Sequence, residues 1–232
     1  MAMNKRKPLE KITTPKGTFI FPCIDKPDQK YGKFGVRITA EASFAEPLIE
    51  RLTKAAEAKM EAVREELTEK LKAASGPSKK KVQEAIDKLT LGNLPVREAY
   101  DEGADEPNGT YEVNFGAPAT QKNFKTGVES PRVIKVFDSK GGEVSPVPTI
   151  WGGTEGRVSG FISPYYNPAT HSVGVSLRLL AVQVIKLVSG GGGSASSHGF
   201  GVEEGGFTGD DLPKQDAPAP EAASEEAAAD EF

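Results

Sequence analysis

The sequence predicts a mainly β protein: a small, partly open β-barrel with one helical excursion and an acidic tail. Three observations carry that expectation. Six or so segments rich in β-branched and aromatic residues are punctuated by Gly and Pro, one long stretch has helical spacing, and after Val188 the hydrophobic pattern stops.

Residues 18–24 form the first strand signal, followed by turn chemistry at 26–30. Residues 32–39 then alternate, with Phe34, Val36 and Ile38 on one face and Lys33, Gly35, Arg37 and Thr39 on the other, which is the period of a half-buried strand. Ser43-Phe44-Ala45-Glu46 reads as a capping box, and Leu48, Leu52, Ala55, Ala56, Met60, Val63, Leu67 and Leu71 follow at helical spacing. That helix can run to Ala74, roughly 45 Å at 1.5 Å per residue. Gly76-Pro77 breaks it, and Ser78 can cap a second helix carrying Val82, Ile86 and Leu89, so that a helical arm at about 43–91 is inserted between strands. Residues 92–108 are loop-like. Strand signals resume at 110–117, 132–138, 156–163 and 172–188.

Charge divides the chain in two. Residues 189–232 carry ten carboxylates against the single cation Lys214, a net of −9, whereas the preceding 188 residues hold 28 Lys and Arg against 23 Asp and Glu, a net of +5. The reading is a folded body over 1–188 and a disordered acidic tail over 189–232, entered through the linker-like glycines 190–193. A cationic body tethered to its own polyanion points to a polyanionic ligand for which the tail competes. The lone Cys23 excludes an internal disulfide framework and a Cys-built zinc site, and reads as a small buried hydrophobe. No apolar window approaches the length of a membrane span and the basic N-terminus has no apolar stretch behind it, so a soluble cytosolic protein is expected.

The inventory disfavours catalysis and calls for no cofactor. Two histidines, His171 in a turn and His198 in the tail, cannot build a metal cluster, and no Gly-x-Ser-x-Gly elbow supports His171 as part of a triad. The glycines at 152–156 lack a following Gly-Lys-Ser/Thr, and Arg157 begins a strand instead of a helix.

Single-stranded nucleic acid needs cations for its phosphates and rings on which its bases stack. Lys122, Phe124 and Lys125 sit together in a loop; Arg157, Ser159 and Phe161 share a strand face, with Tyr165 and Tyr166 at its end; Arg37, Lys135 and Arg178 lie on other strands. Phe161 fits a core and a groove equally well. Trp151, after Thr149-Ile150, suits a structural plug better than a stacking ring. A non-catalytic interaction module, with the leucine stripe of the arm pairing between chains and the tail recruiting partners, is the competing reading. The terminal Asp230-Glu231-Phe232 has the form of a docking peptide for a basic-rimmed apolar pocket.

Several short pieces then resemble one family. Gly35-Val36-Arg37-Ile38-Thr39, Val136-Phe137-Asp138-Ser139-Lys140-Gly141, Val147-Pro148-Thr149-Ile150, Ser163-Pro164-Tyr165, Val173-Gly174-Val175-Ser176-Leu177-Arg178-Leu179 and the acidic-Phe terminus occur in the order seen in the single-stranded DNA-binding proteins of T7-type bacteriophages. The resemblance implies an OB-fold and sequence-independent binding of single-stranded DNA in phage DNA replication, recombination and repair. It also implies a tail that contacts replication proteins (polymerase, helicase or primase), a homodimer, and residence in the cytoplasm of the infected bacterial host. Two features depart from the family. Tyr166-Asn167-Pro168 stands where the family has a Trp after Pro-Tyr, and the helical insertion is longer and more charged.

Overall fold

The computed structural model describes residues 9–101, 103–123 and 126–188, all within one unit spanning Met1–Gly191. Phe124, Lys125, His198, the linker at 190–193 and the acidic tail with Asp230, Glu231 and Phe232 lie outside the described residues.

The chain enters through β1 (Lys11–Thr13), β2 (Gly17–Asp28) and β3 (Lys33–Glu41), passes through α1 (Ala42–Ala73) and α2 (Gly76–Asp87), and returns in β4 (Thr90–Leu91), β5 (Val96–Tyr100) and β6 (Pro107–Pro118). A hairpin of β7 (Thr120–Lys122) and β8 (Glu129–Pro131), then β9 (Lys135–Phe137), precede the two longest strands, β10 (Glu155–Asn167) and β11 (Ser172–Lys186). Each predicted strand segment is present. β2 runs four residues further than its signal, into the expected turn, and β5 occupies part of the segment read as loop.

Pairing closes a ring. β2 pairs β3 and β3 pairs β6, both antiparallel; β6 pairs β11 in parallel; β11 pairs β10, and β10 returns to β2 through Glu155↔Thr18 and Gly156↔Gly17. The β6–β11 and β10–β2 seams hold two residue pairs each, so the ring is only partly closed, as in the five-stranded OB barrel. Alternation fills it: Val36 and Ile38 of β3, Val113 and Phe115 of β6, Val158 and Ile162 of β10, and Leu177 and Leu179 of β11 are buried together. Each such side chain contributes about 1.5–3 kcal/mol of burial.

The helical arm is two structures in one. Leu48, Leu52 and Ala56 of α1 belong to the barrel core, while Val63 and Leu67 pack with Ala85, Leu89 and Val173 in a second cluster. The capping box expected at Ser43 does not form: β3 runs straight into α1, Glu41 is the N-cap, and no side chain caps it. α2 likewise starts before Ser78, with Ser75 as N-cap and Pro77 in the first turn, where its fixed φ suits a helix start. No helix among the described residues is long and apolar enough to cross a membrane.

Candidate nucleic-acid interface

The residues that alternate with the core form the outer face of the barrel, and the register aligns them in rungs. One rung crosses six strands: Lys11 of β1 opposes Phe161 of β10, which opposes Arg178 of β11, then Gly116 of β6, Gly35 of β3 and Cys23 of β2. Two grooves lie on either side of the Phe161–Arg178 rung. The first, about 490 Å³, has Gly116 in its floor and Lys33, Tyr165, Ser176 and Arg178 around it. The second, about 390 Å³, runs the other way along the β10–β11 hairpin past Ser159, Arg157, Lys11 and Lys135.

Gly116 is not required by packing, since a methyl group there would meet only the Phe34 carbonyl oxygen at 3.6 Å, an ordinary contact. Its effect is to keep the groove floor level, as backbone approached closely by a ligand requires. Tyr165 is fixed differently. Its phenol end lies over Gly174, where a methyl carbon would sit 2.7 Å from the hydroxyl oxygen, so the ring is laid across β11 with its far side open to solvent.

Several cations here are uncompensated. Among the described residues no carboxylate lies within ion-pair distance of Lys11, Lys33, Arg157 or Arg178, whereas Lys135 is paired with Glu143 at 2.9 Å and Arg37 faces Glu112 at 3.6 Å. Arg132, hydrogen-bonded through Nε to the Pro118 carbonyl at 3.1 Å, is held below the ordinary guanidinium range by burial and then by the charge of Arg178. Neighbouring guanidinium groups with no acid between them are what an anionic ligand would satisfy.

The outer face thus brings together Arg37, Lys135, Arg157, Phe161, Tyr165 and Arg178. It leaves out Tyr166, which points to the other side of β10, packs against the Val63/Leu67 cluster and lies 3.4 Å from His171 Nδ1 through its hydroxyl. Lys122 is exposed on the separate β7–β8 hairpin, and Phe124 and Lys125 lie outside the described residues. Sequence reasoning passed over Lys11 and Arg132, the first in a strand of three residues that shows no periodicity. It placed Lys33 on the polar face of its strand with Arg37 without naming it among the site residues. Two expectations are corrected: Trp151 is exposed instead of plugging the core, and Cys23 is half-buried, because the register shift before it pairs it with Gly35 on the outer rung. Among the described residues no group of three or more His, Cys, Asp and Glu could hold a metal ion.

Residues 20–187 match the family described as Single-stranded DNA-binding protein, Bacteriophage T7. Over 104 residues the chain is 32% identical to the single-stranded DNA-binding protein of Enterobacteria phage T3; the matched part spans 45% of this chain and 45%, less than half, of that relative's length. The crystal structure of gp2.5, a single-stranded DNA binding protein encoded by bacteriophage T7, is similar with a TM-score of 0.61 at 25% identity, covering 87% of this chain and 99% of that one.

Proposed function

The chain belongs to the single-stranded DNA-binding protein family of bacteriophage T7, and from that premise we propose that it binds single-stranded DNA without sequence preference during phage DNA replication and recombination in the host cytoplasm. Residues 1–188 act as the binding domain. The strand lies along the outer face of the β10–β11 hairpin, its phosphates met by Arg157, Arg178, Lys11 and Lys33 and its bases stacked on Phe161 and Tyr165. The carrying observation is the rung that sets an exposed Arg178, free of any acidic partner among the described residues, between the Phe161 ring and the level floor at Gly116. Each stacked base contributes about 1–3 kcal/mol, and nothing in this arrangement reads a base edge, so affinity follows charge and stacking instead of sequence.

The tail, residues 189–232, competes with DNA for this cationic face, because a net charge of −9 faces a body of +5. Displaced by DNA, its Asp230-Glu231-Phe232 terminus docks replication proteins through a basic-rimmed apolar pocket. The alternative in which the leucine stripe of α1 pairs two chains finds less support, since Leu48, Leu52, Val63 and Leu67 are already buried within this chain.

Titration of oligo-dT at two salt concentrations, with the full chain and with a chain ending at Val188, tests the proposal. Binding should weaken with salt by a slope of about −0.7 per phosphate contact, and the truncated chain should bind more tightly at low salt. Equal affinity for double-stranded DNA would refute it.

A further inference from the structure

A strained aromatic residue stands where the outer rung ends. Between Ile20↔Arg37 and Cys23↔Gly35 the register of β2 against β3 shifts by one residue, and such a bulge re-aims a side chain. Its consequence is the contrast between Phe19 and Phe21: two residues apart on one strand, the first is fully buried and the second 77% exposed. Phe21 also has φ +46°, a conformation that costs a non-glycine residue about 1–2 kcal/mol. The strain costs stability and the exposure forgoes burial. Both put a phenyl ring into solvent on rigid backbone, and strain of this kind accompanies ligand contacts.

Phe21 has company. The Arg37 guanidinium carbon lies 5.8 Å from its ring centroid, close enough for a cation–π contact. Trp151, 45% exposed, lines the same cleft of about 680 Å³ with Pro22 and Cys23. The turn that carries Trp151 is tied down at both ends, its N–H donating to the Val188 carbonyl at 3.0 Å and the Gly153 N–H donating to the Phe19 carbonyl at 3.0 Å. Asp28 lines the cleft too, but its Oδ1 already accepts the N–H groups of Lys30 and Tyr31.

We propose that Phe21 and Trp151 form a second base-stacking subsite, which takes a nucleobase of the bound single strand while Arg37 meets the adjoining phosphate. This inference rests on the single-stranded DNA-binding reading and extends it. The occupant follows from continuity: Cys23, in the cleft wall, ends the rung that begins at Lys11 and passes through Phe161 and Arg178. A strand that follows the rung arrives here. Two exposed rings and one cation suit a planar base with its phosphate, since every base has a face that stacks.

Trp151 is the only tryptophan of the chain, so its emission reports on this cleft alone. The full chain is titrated with labelled oligo-dT, following anisotropy for binding and Trp151 emission for occupancy of the cleft. Emission should be quenched in step with anisotropy. Phe21→Ala should weaken binding by about tenfold, the loss of one stacked base, and Trp151→Ala should weaken it by a similar factor. Phe21→Gly separates the roles: relief of the left-handed strain should raise Tm while binding falls. Anisotropy that rises with Trp151 emission unchanged, or Phe21→Ala and Phe21→Gly chains that bind as tightly as the parent, would overturn the subsite and leave the DNA-binding reading intact. No anisotropy change at all would end both.

Discussion

Arg37 of β3 and Glu112 of β6 face each other at 3.6 Å, and the same Glu112 carboxylate accepts Arg97 at 2.6 Å. One acid, its side chain 15% exposed, therefore serves two guanidinium groups and holds part of the charge of Arg37 away from a ligand. Glu112→Gln keeps an acceptor for Arg97 and removes the charge. The mutant should bind oligo-dT more tightly at low salt, with a salt slope steeper by about 0.7. Unchanged affinity and slope in a two-salt titration would mean that Arg37 meets no phosphate.

Arg178 has the opposite environment, exposed and without an acid beside it among the described residues. Arg178→Ala should weaken DNA binding and make the salt slope shallower by about 0.7, one phosphate contact. It should cost no stability, because the charge of Arg178 is one of the two causes that disfavour the Arg132 cation. Thermal unfolding beside the titration checks both parts. A lower Tm with unchanged binding would show that Arg178 supports the fold and not the ligand.

What could be read in the sequence were patterns longer than a few residues. The alternation of β3 and the helical spacing of α1 each report the burial of one face, so strand, helix and a partly open barrel were legible, while the OB-fold followed from the family resemblance. Local departures from pattern were not. Alternation assigns Phe19 and Phe21 to one face, and only the bulge, invisible in composition, separates them. Tyr165 and Tyr166 are adjacent and chemically alike, yet strand geometry sends one to the outer groove and the other against α1 and α2. β5 was missed because its run Val-Arg-Glu-Ala-Tyr carries little apolar character; it forms because β6 offers a paired edge.

The division of α1 into a barrel half and an arm half has a stability signature. Leu52 is fully buried in the barrel cluster, while Leu67 is slightly exposed in the smaller one. Leu→Ala in a core costs about 2–5 kcal/mol, more where the site cannot collapse. Leu52→Ala should fall at the upper end, and Leu67→Ala at the lower end with oligo-dT binding retained. Urea denaturation measures both. Equal losses would show that the two clusters unfold as one body.

Gly174 decides where Tyr165 can lie. A methyl carbon at Gly174 would come within 2.7 Å of the Tyr165 hydroxyl oxygen and 2.8 Å of the ring carbon that bears it. The ring, on rigid strand β10, can relieve that clash only by lifting away from β11. Gly174→Ala should therefore disturb the groove without touching the core, since Val173 and Val175 on either side keep their buried places. If Tyr165 stacks a base, the displaced ring forfeits that contact, about 1–3 kcal/mol. Tyr165→Phe keeps the ring and the stacking face, and should bind like the parent. Tyr165→Ala and Gly174→Ala should then weaken oligo-dT binding by similar factors, and the double mutant should be no weaker than Tyr165→Ala alone, because both changes remove the same contact. Additive losses in that cycle would show that Gly174 acts on binding by a route other than Tyr165.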